Sequence, residues 1–309
     1  MALTIALLVT ALTTPAFAWV AHRLGVVDRP GPLKVQSRPV AYLGGLAVLA
    51  GVVAAVAPAA AGLLPPLAAA AALGLLDDIA DLTARLRFAA EIVIGALVVL
   101  AVDAPALTTP IVIVGTILLV NAVNLLDGLD ALASGTVLAS AIGFALILDG
   151  DPQILAAGMA GALAGFLIWN RPPARVYLGD SGSYLLGTGL SVLAAATLGD
   201  GGSTQWRAAA VLLLGVPVAD TSVAIVRRWR AKRPLLVGDR GHVYDQLVTR
   251  GWTARRAVIA CVLAQIALAV VAVVVSGLGA VEAVLVAGLC AAAAATWTLA
   301  RFTSPSSWV

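Results

Sequence analysis

Apolar residues fill long stretches of this chain, and polar residues are confined to short segments between them. We count eleven apolar stretches, at roughly 2 to 21, 42 to 62, 64 to 76, 87 to 104, 109 to 125, 130 to 149, 153 to 169, 181 to 198, 208 to 226, 257 to 276 and 280 to 301. A helix of about 20 residues crosses a bilayer. Ala, Leu, Val and Gly occur without the alternation of a β-strand, which favours helices over a transmembrane barrel.

The composition strengthens this interpretation. Of the 309 residues, 61% are hydrophobic and 11% are charged, and the mean hydropathy is +1.02. A chain of this length would otherwise suggest two soluble domains. We therefore predict an all-α polytopic membrane protein in which residues 1–309 form a single integral membrane domain. Aromatic residues make up only 5% of the chain, so no nucleic-acid partner is expected.

The basic residues predict the orientation of the helices. With eleven spans and the N-terminus outside, 18 of the 19 Lys and Arg residues fall on the cytoplasmic side, and only Arg207 falls outside. The first stretch resembles a signal peptide, but no basic residue precedes it and Arg23 follows it, which is typical of an uncleaved helix. We expect about eleven helices in the plasma (inner) membrane.

Every cluster of polar residues falls on the predicted cytoplasmic side. The clusters are Asp28 to Gly45, Asp77-Asp78 with Asp81, Asn121 to Gly135, Tyr177 to Ser183, and Asp239 to Leu247. Unpaired carboxylates among apolar neighbours are costly, so these side chains must reach water or bind something. One face of the protein is therefore expected to carry out its chemistry.

Some of these residues also have purely structural interpretations. Asp180 could cap the helix that follows it, and Gly44-Gly45 are most simply explained by close helix packing. His242, in a basic loop, would ordinarily be a solvated surface histidine. Asp77 and Asp78 are harder to explain as structure. They repel each other at the negative end of a helix dipole, so either Arg85 and Arg87 or a metal must compensate them.

Together, the carboxylates, basic residues and hydroxyls describe a site for a divalent cation and phosphate groups. Oxygen ligands favour Mg²⁺, with Mn²⁺ as a substitute, over zinc. Phosphoryl transfer uses a cation on the phosphate oxygens, carboxylates that hold it, and basic side chains on the diphosphate. A nucleotide would enter from the cytoplasm, and the second substrate could be a lipid.

The ordered set of motifs from Asp28 to about Leu247, above all Asn121 to Gly135 and Asp77-Asp78, resembles the polyprenyl-phosphate N-acetylhexosamine-1-phosphate transferase family. The phospho-N-acetylmuramoyl-pentapeptide translocase belongs to the same superfamily. The resemblance implies a Mg²⁺-dependent, often dimeric enzyme that moves a sugar 1-phosphate from a UDP-sugar to polyprenyl phosphate and releases UMP.

The resemblance also implies roles for individual residues. Asp77 and Asp78 would handle the lipid phosphate, and Asp127 and Asp130 would shape the catalytic site, while Asp180, with Asp78, would hold the metal. The substrate-binding positions would be Lys34, Arg38, Gly44, Gly45, Asn121, Asn124, Arg240 and His242. The family's Pro-x-x-Asp motif in a kinked ninth helix corresponds to Pro217 to Asp220.

Three departures from the family pattern affect donor specificity. Gln36 stands where the first loop usually has a histidine, only His242 remains of a late His-x-His-His motif, and Ala131 replaces a usual glycine. The spacing from Lys34 to Gly44 and the Asp-Arg-x-His form of the late loop resemble the hexosamine branch. UDP-N-acetylglucosamine or a close UDP-N-acetylhexosamine is therefore the expected donor.

Other functions remain open on the sequence. Transfer of phospho-N-acetylmuramoyl-pentapeptide is the main alternative. An intramembrane prenyltransferase would have no use for the Asn121 block, and a CDP-alcohol phosphotransferase would need a motif that Asp127-Gly128 does not continue. A cation- or proton-coupled transporter would place its acids at mid-membrane on broken helices, where only Asp220 qualifies.

Overall fold

The computed structural model describes residues 1–29, 38–199, 203–233 and 241–303. They form a bundle of α-helices: α1 Ala2–Leu24, α2 Gly44–Ala60, α3 Leu64–Ala80, α4 Ala84–Ala101, α5 Thr109–Leu126, α6 Leu132–Ile147, α7 Gly150–Asn170, α8 Gly179–Ala196, α9 Thr204–Leu213, α10 Gly215–Arg230, α11 Val243–Thr249, α12 Ala254–Ser276 and α13 Ala280–Phe302. Helices lie over all eleven predicted stretches, with α9 and α10 sharing one of them. Lys34 and Arg240 lie outside the described residues.

Several of the described helices have the length and composition of membrane spans. Six helical runs are long and apolar enough to cross a membrane, or seven if the bent pair α9 and α10 is one span. Large apolar side chains point outward from these helices, including Leu12 on α1, Val114 on α5 and Val270 on α12. Such surfaces are stable only against lipid or protein. The chain is therefore an all-α polytopic membrane protein, as predicted.

The longest helical run, Gly44–Ala80, is a hairpin. A straight helix of 37 residues would be about 55 Å long. Yet Gly45, near its start, packs against Gly182, and Gly74, near its end, packs against Asp180. Both neighbours belong to the first turn of α8, so the chain must reverse between α2 and α3. The reversal occurs at the single 3-10 turn Ala61–Leu63, just before Pro65 and Pro66.

Helix α8 is the centre of the bundle. Every residue from 181 to 193 is buried, because glycines allow neighbouring helices to approach closely. A Cβ atom on Gly187 would overlap the backbone of Val120 in α5, and one on Gly189 would overlap Met159 in α7. Thr116 and Ser191 also share a hydrogen bond of 2.6 Å between α5 and α8. Small residues and interhelical hydrogen bonds are the usual means of packing helices in a membrane.

The predicted kink of the ninth helix is confirmed. Helices α9 and α10 meet at an angle of 61°. Pro217 lacks the N–H that would bond the carbonyl of Leu213, and Gln265 of α12 replaces it, donating from Nε2 to Leu213 O at 3.0 Å. Its Oε1 accepts the N–H of Val216 at 2.9 Å. The break is therefore satisfied by one buried amide, as non-helical backbone within a membrane requires.

A small sheet closes one end of the bundle. Strands β1 (Val27–Asp28) and β2 (Val40–Ala41) are antiparallel, with Val27 opposite Ala41. Ala41 also forms a parallel bridge with Val176. The sheet thereby connects the first polar loop to the segment that enters α8.

Candidate active site

The ends of several helices meet at this same end of the bundle and bring most of the predicted site residues together. Asp77 and Asp78 lie at the end of α3, and Asn121 and Asn124 lie at the end of α5. Asp127 follows α5, Asp180 lies in the first turn of α8, and Gly44 and Gly45 begin α2. Arg38 is exposed at the edge of the described part.

Asp78 caps α8 from a distance. Its Oδ1 accepts the N–H of Asp180 at 3.0 Å, and its Oδ2 accepts the N–H of Ser181 at 3.1 Å. The residue at the N-cap position itself is Leu178, whose side chain makes no capping bond. The interpretation of Asp180 as a helix cap is therefore wrong, because the cap is the carboxylate of Asp78. The Asp180 side chain is left available for other chemistry.

The negative charge of Asp77 is compensated by groups of the protein itself. Its Oδ2 accepts bonds from Tyr184 Oη at 2.7 Å and from Arg87 Nη1 at 3.1 Å, and its Oδ1 accepts the N–H of Leu82 at 2.9 Å. Arg87 is thus the cation that compensates one member of the adjacent pair, as one of the two alternatives predicted. Both Asp77 oxygens are engaged and the residue is only 6% exposed, so it is poorly placed to accept a proton from a substrate.

Asp127 lies among other carboxylates at this end of the bundle. Within the described ranges, no hydrogen-bond donor to its side chain is seen. Burial, together with the negative charges of Asp180, Asp78 and Asp130, raises the pKa of Asp127 well above its usual value. Crowded carboxylates of this kind are relieved by a cation or by a proton. Burial likewise raises the pKa of the neighbouring Tyr177 to about 12, with a further contribution from Asp130.

Asp130 and Asn170 organise the loops around the site. Asp130 Oδ2 accepts the N–H of Ala174 at 2.8 Å. The Oδ1 of Asn170 accepts the Ala131 N–H at 2.9 Å and the Ser134 hydroxyl at 2.8 Å, and its Nδ2 donates to a backbone carbonyl of the α7–α8 segment. Asn170 is buried at the end of α7, and the sequence interpretation missed it. Its type and position alone do not distinguish it from an ordinary helix-terminal asparagine.

Backbone geometry explains the three notable small residues here. A Cβ atom on Gly44 would overlap the carbonyl of Tyr177, and one on Gly45 would overlap Gly182, so close packing accounts for both glycines. Ala131 has φ = 65°, the left-handed region that favours glycine. The glycine usual in the family at this position would adopt that conformation without strain.

The two predicted asparagines bond to neighbouring helices. Asn121 Nδ2 donates to Glu91 Oε2 of α4 at 3.0 Å, and Asn124 Oδ1 accepts the Ser183 hydroxyl of α8 at 3.0 Å. Glu91 is buried and was also missed, although an acid seven residues into an apolar helix is itself a signal. Asn121 and Asn124 thereby hold the end of α5 against α4 and α8, beside the carboxylates.

His242 is buried, so the expectation of a solvated surface histidine is wrong. It is 3% exposed, and its Nδ1 lies 2.7 Å from Oδ2 of Asp220 in α10. Tyr244 stacks on its ring and donates its hydroxyl to the carbonyl of Leu125 at 2.9 Å. Gly128 makes room for that hydroxyl, since a Cβ there would overlap it. The histidine segment is thus fixed to the turn that carries Asp127.

The arrangement suits a divalent cation held partly by its substrate. No three of the His, Cys, Asp and Glu side chains in the described parts of the chain converge closely enough to hold a metal by themselves. Mg²⁺ commonly uses only one or two carboxylates, together with phosphate oxygens and water. Asp127 and Asp180 supply two carboxylates that are not committed to a hydrogen bond with a basic side chain or a helix end. The residues therefore fit such an ion.

Comparisons with known proteins agree with this site. Residues 60–198 match the family described as glycosyl transferase family 4. The probable undecaprenyl-phosphate N-acetylglucosaminyl 1-phosphate transferase of Bacillus subtilis (strain 168) is 31% identical, with 82% of this chain and 78% of that protein covered. The decaprenyl-phosphate N-acetylglucosaminephosphotransferase of Mycobacterium tuberculosis (strain ATCC 25618 / H37Rv) is 32% identical, with coverage of 82% and 76%.

A third relative is less extensively similar. The phospho-N-acetylmuramoyl-pentapeptide-transferase of Synechococcus sp. (strain RCC307) is 34% identical, but over only 45% of this chain and 40% of that protein. The fold and these matches define a membrane-bound glycosyl-phosphate transferase. The chain belongs to the polyprenyl-phosphate N-acetylhexosamine-1-phosphate transferase family, which confirms the resemblance found in its motifs.

Proposed function

We propose that the protein transfers N-acetylglucosamine 1-phosphate from UDP-N-acetylglucosamine to a polyprenyl phosphate. An oxygen of the lipid phosphate attacks the phosphorus that bears the sugar, and the bond from that phosphorus to UMP breaks. UMP leaves with the bonding electrons, and a polyprenyl-diphosphate sugar forms. The observation that carries this proposal is the unpartnered carboxylate of Asp127 beside Asp180, in a chain whose extensively matched relatives are named for this transfer.

Asp127 and Asp180 would hold a Mg²⁺ ion, with Asp127 in the place expected for Asp78, because both oxygens of Asp78 accept N–H groups at the start of α8. When bound, the ion would neutralise the diphosphate oxygens as charge develops on the leaving UMP. The fit rests on the crowding of Asp127 with other carboxylates, whereas Asp77 already forms an ion pair with Arg87. Mn²⁺ would satisfy the same oxygen ligands.

Asp77 and Asp78 would hold neighbouring groups in place and would not take part in the reaction itself. Asp78 fixes the start of α8 and therefore the place of Asp180. Asp77 holds Arg87 and Tyr184 together across α3, α4 and α8. A phosphate monoester loses its second proton near pH 6, so the lipid phosphate is already ionised at neutral pH. The nucleophile therefore needs no protein base.

We further infer that the site faces the cytoplasm and that the chain crosses the plasma membrane eleven times with its N-terminus outside. The supporting observation is the 18 to 1 division of basic residues. Single cysteines at Pro173, beside the site, and at Asp149, at the opposite end of α7, would test this in a chain without its native cysteines. An impermeant reagent applied to intact cells should label the second and spare the first. The reverse pattern would overturn the orientation.

Isotope exchange tests the function directly. One phosphoanhydride replaces another, so the reaction should be reversible. Purified protein with Mg²⁺ and polyprenyl phosphate should move labelled UMP into UDP-N-acetylglucosamine. Omission of the lipid phosphate, and the Asp127→Asn variant, are the controls that should abolish exchange. Exchange with UDP-N-acetylmuramoyl-pentapeptide alone would assign the other branch of the superfamily, and no exchange with any UDP-sugar would favour a transporter.

A further inference from the structure

Asp220 is a buried acid whose two oxygens are both committed to one short segment. It lies on α10, about one and a half turns after the helix begins at Gly215, and is 3% exposed. Its Oδ1 accepts the N–H of Val243 at 2.7 Å, and its Oδ2 lies 2.7 Å from Nδ1 of His242. Among the described acids, Asp220 is the one that bonds a histidine. This hydrogen bond offsets part of the free-energy cost of burying the carboxylate.

Tyr244 fixes the imidazole ring of His242 from a second direction. Its ring stacks on the imidazole with centroids 5.7 Å apart and planes 9° apart. Its hydroxyl bonds the carbonyl of Leu125, two residues before Asp127. The imidazole therefore has a fixed plane as well as a fixed Nδ1 partner. No hydrogen bond from Nε2 to a described residue is seen.

We propose that Asp220 and Tyr244 are positioning residues that hold His242 with Nδ1–H donated to Asp220 and Nε2 presented to the phosphate groups of the substrates. The second half of this statement rests on the proposed function. A carboxylate bonded to Nδ1 selects the tautomer that carries its proton on Nδ1, which leaves Nε2 free to accept a hydrogen bond. The carboxylate acts through the histidine and does not itself contact substrate.

The tautomer can be measured without any assay of activity. The chain contains two histidines, so ¹⁵N spectra of the histidine-labelled protein contain two imidazole systems, and a His22→Gln variant assigns them. We expect a proton on Nδ1 of His242 in the wild-type protein. Asp220→Asn keeps an acceptor for Val243 but turns an NH₂ group toward Nδ1, so the proton should move to Nε2. A wild-type signal from the Nε2–H tautomer would overturn the proposal.

A double-mutant cycle tests the catalytic consequence. Asp220→Asn should lower kcat for UMP release by about 10-fold to 100-fold, as losses of such supporting carboxylates typically do, and should add almost nothing in a His242→Ala background. Tyr244→Phe keeps the stacking and should lose less than Tyr244→Leu. Ser222→Ala, an exposed α10 residue bonded only within its helix, is the matched control and should retain full activity.

The outcomes separate the two proposals. Equal losses from Asp220→Asn with and without His242 would show that Asp220 acts on the fold and would overturn its positioning role. A wild-type protein that holds the expected tautomer but releases no UMP would instead refute the proposed function. In that case the Nδ1 arrangement stands, and the assignment of Nε2 to substrate phosphates falls.

Discussion

The capping of α8 by Asp78 predicts that Asp78→Asn destabilises the protein and does more than impair chemistry. Asparagine has the same size, so it creates no cavity. It retains one acceptor oxygen for Asp180 N–H but turns an NH₂ group toward the N–H of Ser181. The substitution thereby removes one hydrogen bond and places two hydrogen-bond donors, the new NH₂ group and the Ser181 N–H, against each other. It also removes a negative charge from the positive end of a buried helix.

The size of the effect follows from these contacts. The two bonds are 3.0 and 3.1 Å long and have a charged acceptor, and each such bond is worth about 1.5–3 kcal/mol. The helix dipole adds roughly 0.3–1 kcal/mol. Because one bond is retained, we expect a loss of about 2–4 kcal/mol in the free energy of unfolding. Movement of the first turn of α8 would displace Asp180 as well, so turnover should also fall.

Tryptophan fluorescence of detergent-solubilised protein, titrated with a denaturing detergent, measures this free energy. The matched control is Asp81→Asn, since Asp81 is an exposed helix-ending residue with φ = 45°, a conformation that asparagine tolerates. It should change stability by less than about 0.5 kcal/mol. If Asp78→Asn lost turnover but kept wild-type stability, the carboxylate would act on substrate and the capping argument would be refuted.

Three further outcomes are expected. Asp180→Asn should abolish turnover and the response of activity to Mg²⁺ without lowering the unfolding temperature, because Asp78 provides the cap; retained Mg²⁺-dependent turnover would contradict the ligand assignment. Folding raises the pKa of Asp127, so its ionised form costs stability, a cost that is absent below pH about 4 and grows as the pH rises. Stabilisation by Mg²⁺ in thermal unfolding should therefore increase with pH in the wild-type protein and much less in Asp127→Asn. Ala131→Gly should raise the unfolding free energy by about 1 kcal/mol through relief of the left-handed backbone, and an unchanged midpoint would count against that strain.

The apolar pattern predicted the helices closely because burial in lipid dominates their energetics. The fifth stretch, at 109 to 125, corresponds to Thr109–Leu126. The sequence alone does not show where the chain reverses between α2 and α3, because apolar residues continue through Ala61–Leu63 without a polar break. The short helix α11 was not predicted, since its polar sequence carries no membrane signal. It forms where Tyr244 and Gln246 are buried against other helices.

The sequence predicted which residues form the site better than it predicted their hydrogen-bond partners. The motifs identified the acids at the helix ends, but hydrogen-bond partners depend on contacts between distant segments. Tyr184 lies 107 residues from Asp77 in the sequence, and Asp220 lies 22 residues from His242. The basic neighbours of His242 suggested a solvated loop, whereas its environment is set by α10. Only the proximity of Arg87 to Asp77 was within reach of local reasoning.

The acids of the site differ in how many hydrogen-bond donors the protein supplies to their carboxylates. Asp77, Asp78, Asp220 and Glu91 each accept hydrogen bonds from tyrosine, arginine, backbone, histidine or asparagine donors within the protein. A carboxylate supplied in this way has little to gain from a metal. Asp127, without a described donor and close to other negative charges, has the most to gain. Binding energy for a cation and its diphosphate would therefore be concentrated at Asp127, while the satisfied acids hold the surrounding helices in register.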